Sequence, residues 1–209
     1  MRIILQKGRN IMSKKVNVVV FDFDGTLSAS DANFEFGRYC FKHSLRPWLF
    51  LPIFLVGLTM YYINKYSRVS RELMRLFVIQ KMVKKFAPIV IKEHKLRRFG
   101  WAAERVASER AAGNICILIS AGPDYLVPVL VRDMKFDVVI TSQMYKTRPW
   151  KYKFMCWGPN KVVALDTWAK KNKIVPHVVR SYGDSKSDKY IMELADTEIW
   201  INRKTGLPK

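Results

Sequence analysis

Only three cysteines and three histidines occur among the 209 residues. Cys40, Cys116 and Cys156 are widely spaced and form no Cys-x-x-Cys or Cys/His cluster, which argues against a structural zinc site and a disulfide framework. A reducing cytosolic environment is expected. Apolar runs are limited as well: the longest charge-free stretch, 47–64, has 18 residues, against about 20 for a helix that crosses a bilayer. The amino-terminal MRIILQKGRNIMSKK offers a three-residue apolar patch, too short for the core of a secretory signal. Export is not expected. Met12 stands just before the first expected strand, so residues 1–11 read as an upstream-start extension or a basic surface arm, with no role assigned.

Acidic residues are also in short supply. Seventeen Asp and Glu face 37 Lys and Arg, a net charge of +20, while 49% hydrophobic content marks a folding chain rather than a basic tail. The expected partner or surface is anionic. Nucleic acid, phosphorylated metabolites and acidic phospholipid all satisfy that condition.

The length suits one core domain with an insertion. Short, apolar, β-branched runs at 17–23, 115–120, 136–141, 177–182 and 198–202 read as strands. PDYLVPVLVRDM and NKVVALDTWAKKN between them read as helices, the second after a hairpin-like region. This alternation predicts an α/β fold, a doubly wound, mostly parallel sheet. About ninety residues separate the first two strands, far more than a crossover needs. The expected division is a core of 1–33 and 97–209 and a helical cap of 34–96. RELMRLFVIQKMVKKFA and LRRFGWAAERVASERAAGN read as helices, the latter ending at Gly113, and most of their basic residues are expected on solvated faces.

The stretch 47–64 carries a membrane reading of a particular kind. A single crossing would put the two halves of any site built from residues near 22 and beyond 115 on opposite sides of a bilayer, and 71–95 is too charged to return the chain. It is therefore expected to lie in the interface or to dip in and return, helped by Pro52 and Gly57, with Leu51, Phe54 and Leu55 in lipid. Arg38, Lys42 and Arg46 before it, and Lys65, Arg68 and Arg71 after it, suit an anionic headgroup layer. A buried pair of cap helices or a dimer interface is the alternative.

Catalytic expectations start from VVVFDFDGTLSAS. Val18 to Phe21 form a run suited to a strand buried on both faces, so Asp22 and Asp24 fall at its carboxyl end, where open α/β sheets bind ligands. Three more polar signals occupy equivalent places: Ser120 after ICILI, Lys161 in the first turn of a helix, and Asp184 with Asp188 after HVVRSY. A parallel sheet gathers these on one edge. Clustered carboxylates repel one another, and a hard divalent cation, most often magnesium, relieves them. The chemistry that fits is phosphoryl transfer. Asp22 attacks phosphorus, Asp24 serves as acid and then base, and Lys161, Ser120 and backbone amides near Gly25 hold phosphate.

Asp22-Phe-Asp24-Gly25-Thr26, Ser120, Lys161 and Gly183-Asp184 with Asp188 resemble, in order, the four motifs of haloacid dehalogenase-like phosphatases. The resemblance implies a magnesium site built from the Asp22 carboxylate, the Asp24 carbonyl and Asp184, with Asp188 direct or through water. It also implies an aspartyl-phosphate intermediate and a cap between the first two motifs, as in the phosphoserine phosphatase branch. A narrower similarity, in the early apolar stretch, TSQMYKTRPWKYKFMCWGPNKVVAL and SYGDSKSD, is to the phosphatidylglycerophosphatases C, membrane-associated members of that branch. One departure is Gly122, where relatives often carry a second hydroxyl. The expected activity is magnesium-dependent hydrolysis of a lipid-headgroup phosphate such as phosphatidylglycerophosphate, at the cytoplasmic side of a membrane, by a peripheral or monotopic protein. The alternatives are a soluble phosphatase for a small metabolite such as phosphoserine, and a non-catalytic basic module for acidic lipid or nucleic acid. No dedicated nucleic-acid motif is present, so nucleic acid is not the expected partner.

Overall fold

The computed structural model describes residues 14–65, 67–95 and 97–209; the readings made for 1–11 and Met12 lie outside them. Among the described residues six strands form one sheet: β1 (Lys14–Phe21), β2 (Ile115–Pro123), β3 (Val138–Tyr145), β4 (Arg148–Phe154), β5 (Ile174–Gly183) and β6 (Thr197–Trp200). Their order is β4-β3-β2-β1-β5-β6. All neighbours run parallel except the β3–β4 hairpin. This is the expected α/β sheet.

β1 sits at the centre because both of its faces are apolar. Val19 and Phe21 enter one buried cluster, and Val18 and Val20 enter the other. Each such side chain contributes about 1.5–3 kcal/mol relative to exposure. The strand begins earlier than expected and stops at Phe21, so Asp22 is the first residue beyond it. Phe23, expected within the strand, is buried in the turn that follows, its carbonyl accepting from the Leu27 amide at 2.9 Å.

Helices cover both faces. On one lie α8 (Asn160–Asn172) and α9 (Lys189–Met192); on the other lie α6 (Trp101–Ala111) and α7 (Val127–Leu130). The helix expected over 123–134 shrinks to α7 and a 3₁₀ turn at Arg132–Met134. The start of that segment is tied to β3 instead: the Asp124 amide donates to the Ser142 carbonyl at 2.9 Å, and its carboxylate accepts from the Met144 amide at 3.2 Å.

Between β1 and α6 come α1 (Ala32–His43), α2 (Arg46–Leu49), α3 (Leu51–Ile63), α4 (Arg68–Leu73) and α5 (Gln80–Lys95). Asp31 caps α1, accepting from the Phe34 amide at 2.8 Å. Phe36, Phe77 and Phe86 from this insertion pack in the same cluster as Val19 and Phe21, so insertion and sheet share one core. The single helix expected over 71–87 is two: the chain turns after α4 and buries Phe77 and Val78 before α5 begins. Burial of two apolar residues here overrides helix propensity.

The charge-free stretch divides into α2 and α3, and among the described residues no helix is long and apolar enough to cross a membrane. A Cβ on Gly57 would lie 2.9 Å from both Leu73 Cβ and the Ser70 carbonyl oxygen, so glycine is what lets α3 and α4 approach closely. The outward side of α3 is apolar as well, with Leu55, Val56, Tyr62 and Ile63 exposed. An ordinary surface helix carries polar residues there. The three expected lipid contacts separate: Leu55 is exposed, Leu51 is half-buried, and Phe54 faces inward with its ring 5.5 Å from that of Phe41. Phe54 is therefore part of the packing of the insertion.

Candidate active site

The carboxyl ends of β1, β2 and β5 and the first turn of α8 converge on one edge of the sheet. Asp22 follows β1 and is anchored by its amide, which donates to the Tyr182 carbonyl at 2.9 Å. Its carboxylate accepts from Lys161 Nζ at 2.6 Å and from Thr26 Oγ1 at 3.2 Å. Lys161, only 1% exposed, also donates to Asp188 Oδ1 at 2.6 Å. The other Asp188 oxygen accepts from the amides of Asp184 and Ser185 at 3.3 and 3.1 Å and from Ser185 Oγ at 2.9 Å. The loop after β5 is thus wrapped around one carboxylate.

Gly25 makes the close approach possible. Its φ is +87°, and a Cβ there would lie 2.3 Å from Asp184 Oδ2. The Gly25 amide, expected to bind phosphate, instead donates to the Ser28 carbonyl at 2.8 Å and closes the turn. Gly25 therefore brings Asp184 in rather than offering a free donor. Ser120 is fully buried, and its hydroxyl oxygen accepts from the Gly122 amide at 3.0 Å. The departure at Gly122 has a steric reason: a Cβ there would lie 2.4 Å from a methyl of Val127.

Charge sets the behaviour of the cluster. Burial first, with the Asp188 and Asp184 charges adding to it, pushes the Asp22 carboxyl up to about 7 against the pull of Lys161. Burial and the Asp188 charge push Asp184 up to about 6. Burial also acts upward on Asp188, but Lys161 and the Ser185 hydrogen bonds outweigh it and hold that carboxyl below its ordinary value. Lys161 is held charged by Asp22 and Asp188 although burial opposes it. Lys161, with Arg203 and Lys209 acting on Asp184, thus leaves the carboxylate group under-compensated. One oxygen from each of Asp22, Asp184 and Asp188 lies within 4.8 Å of the others. Hard oxygen donors with surplus negative charge fit a hard divalent cation.

The Asp24 side chain stands outside that trio. Its Oδ1 accepts from the Ala32 amide at the start of α1, 2.8 Å away. Burial, then the Asp31 charge, hold its carboxyl well above the usual carboxylate range despite that hydrogen bond. Asp22 and Asp24 are one residue apart but chemically distinct, one paired with an ammonium and the other favouring its protonated form.

A cavity of about 460 Å³ opens over these residues, bounded by Asp22, Asp24, Gly122, Lys161 and Asp184 below. Sequence reasoning missed its other walls: Asp31, Asn33, Tyr61, Lys65 and Arg71 from the insertion, Tyr152 and Trp157 near β4, and Lys186 and Arg203. Arg203 lies three residues past the end of β6, so the strand-end rule that found Asp22 would have found it. Lys65 and Arg71, assigned to a membrane flank, line the cavity instead. Arg71 stacks over Trp157 at 4.4 Å and over Tyr61 at 5.1 Å. The β3–β4 hairpin docks on α4, where Glu72 accepts from the Tyr152 amide at 3.0 Å and Arg68 donates to the Tyr152 carbonyl. That contact covers the sheet edge and fixes one wall.

The sequence model of the haloacid dehalogenase-like hydrolases matches residues 19–193. Among solved structures, a protein of unknown function from Bordetella pertussis Tohama I has a TM-score of 0.71 at 16% identity, covering 93% of each chain. A substrate-bound phosphoserine phosphatase has a TM-score of 0.64 at 17% identity, covering 90% of this chain and 87% of that one. A hydrolase of the same family from Salmonella enterica serovar Typhi has a TM-score of 0.66 at 16% identity, covering 90% and 63%. At such identities the likeness is one of fold. A comparison with curated protein sequences gives no match.

Proposed function

Since the chain belongs to the haloacid dehalogenase-like hydrolase family, we propose that it is a magnesium-dependent phosphatase that removes the phosphate from a lipid headgroup such as phosphatidylglycerophosphate. The catalytic part of this reading is supported by the different states of the two acids. Asp22, paired with Lys161, attacks phosphorus; a bond forms from its carboxylate oxygen and the ester P–O bond breaks. Asp24, kept protonated by burial, gives its proton to the departing alkoxide. It then takes a proton from the water that attacks the aspartyl-phosphate, releasing inorganic phosphate and restoring Asp22. Lys161 and the Ser120 hydroxyl hold phosphate oxygens. Asp22, the Asp24 carbonyl, Asp184 and Asp188 would hold magnesium, which would neutralise the phosphate charge so that an anionic nucleophile can approach.

Magnesium at a hundred times its Kd is expected to raise Tm by about 5–10 °C. The pH dependence follows from Asp22 and Asp184, whose carboxyls are raised to about 7 and about 6. Folded-state values above the unfolded ones mean that the cation-free protein loses stability as pH rises from about 4 through 7. The magnesium shift should therefore be larger at pH 8 than at pH 5, and Asp184→Ala should remove most of it. Melting curves with magnesium and with chelator at both pH values check this; identical curves would overturn the metal assignment.

The lipid part rests on α3. The helix that exposes Leu55, Val56 and Ile63 outward also supplies Tyr61 to the catalytic cavity, and Lys65 just beyond it is a second wall residue. An apolar outer face beside a basic cleft suits an anionic membrane surface, with the protein peripheral or monotopic on the cytoplasmic side. Changing Leu55, Val56 and Ile63 together to serine is expected to release the protein from anionic vesicles. It should also lower the ratio of turnover on vesicle lipid phosphate to turnover on p-nitrophenyl phosphate by about tenfold or more. High salt should weaken binding further. An unchanged ratio would remove the membrane reading.

The fold likeness to phosphoserine phosphatases favours a second reading, a soluble small-metabolite phosphatase. Turnover of phosphoserine above that of short-chain phosphatidylglycerophosphate would establish it.

A further inference from the structure

We infer that a second, apolar cavity inside the insertion receives the hydrocarbon tail of an amphiphilic phosphomonoester whose phosphate is held at Asp22; this rests on the phosphatase reading above. The cavity, about 510 Å³, is walled by Phe36, Phe41, Phe54, Leu58, Phe77 and Val78. That is within the range of small-molecule sites, and an apolar space of this kind gives water few partners. It adjoins the catalytic cleft, since Asp31, Asn33, Tyr61, Arg71 and Tyr152 line both.

The polar groups at the junction are suited to the region between phosphate and tail. Arg71 and Arg75 both line the apolar cavity, and the Nε of each is buried without a hydrogen-bond partner. Arg75 is otherwise fixed, donating to Tyr125 Oη at 2.5 Å and to Asn33 Oδ1. Two guanidinium groups bordering an apolar space, Arg71 at the junction and Arg75 within the wall, supply positive charge suited to the ester or phosphate oxygens that join a headgroup to a chain.

Gly37 gives a third, independent indication. It lies in α1 and lines the cavity, and a Cβ placed on it would meet nothing within 4 Å. Glycine inside a helix is unfavourable compared with alanine, and no packing contact requires it here. Its effect is to leave the cavity wide.

The test is the chain-length dependence of kcat/KM for linear alkyl monophosphates, ethyl to decyl, below their micelle concentrations, with magnesium present. The wild-type value is expected to climb by up to about fourfold per methylene and then level off. Gly37→Leu, which fills the cavity and favours the helix, should flatten that climb; Leu58→Trp makes the same test from α3 should the first variant not fold. A flat wild-type series, or equal slopes in wild type and variant, would overturn the inference. Lipid phosphate in vesicles separates the two claims. Turnover there with a flat alkyl series leaves the lipid reading standing and removes the tail site. No turnover of any phosphate, p-nitrophenyl phosphate included, removes the phosphatase reading itself.

Discussion

Asp22→Asn is expected to lower kcat by on the order of 10⁴-fold or more with little change in Tm. On the proposed mechanism the amide oxygen cannot replace the carboxylate as nucleophile, so the step that would make the aspartyl-phosphate is lost. Lys161 keeps its 2.6 Å bond to Asp188 in the variant, so no buried ammonium is left alone. The substitution also removes one of the carboxylates that repel one another in the cation-free protein, where Asp22 is raised to about 7. Stability at neutral pH should therefore hold or rise slightly. Rapid acid quench of the wild type during turnover should yield a phosphorylated peptide containing Asp22, absent from the variant. Near-wild-type hydrolysis by a sample shown free of deamidation would sink the nucleophile assignment.

The parts of this site that were legible beforehand are those that depend on strand direction alone. A run buried on both faces must be a central strand, and its polar successor must emerge at the carboxyl edge. That logic placed Asp22, Ser120 and Asp184 on one edge of the sheet without knowledge of any contact, and the start of a helix added Lys161. The walls contributed by the insertion were not legible, because they depend on how helices roll against the sheet. Arg71 reads in sequence as one of the basic residues flanking an apolar stretch, yet stacking on Trp157 and Tyr61 turns it into the cleft. Phe54 lies in a helix apolar all round, so periodicity could not say which side was inner. The break between α4 and α5 has no proline or glycine to announce it; it exists because Phe77 and Val78 are buried there. Nor could the motif reveal that the Gly25 amide is used up by Ser28.

Lys161→Met is expected to destabilise the cation-free protein by about 3–5 kcal/mol, the cost of removing one partner from a buried ion pair. For a chain of this size that is roughly 6–20 °C in Tm. Methionine preserves the apolar length of the side chain, so the loss reports charge rather than packing. Two buried carboxylates, Asp22 and Asp188, would lose the ammonium that both now accept from at 2.6 Å. The folded-state pKa of Asp188, now held low by Lys161, must then rise above its unfolded value, and that of Asp22, already raised, must rise further. A raised carboxyl binds more protons folded than unfolded, so its penalty is absent below about pH 4 and grows as pH rises through the folded value. The gap in Tm between wild type and variant should accordingly be small in acid and wide at pH 8. Magnesium should narrow it at pH 8 without closing it, because a cation held by these carboxylates would offset their charge but would not restore the hydrogen bonds that Lys161 donates to Asp22 and Asp188. Activity should fall by about 10²–10³-fold even with magnesium, since on the proposed mechanism a preorganised charge at the phosphate is gone. Melting curves at pH 4.5 and 8 with and without magnesium decide the matter. A gap independent of pH would mean that Lys161 serves packing, and that the charge balance of the cluster is kept by other groups.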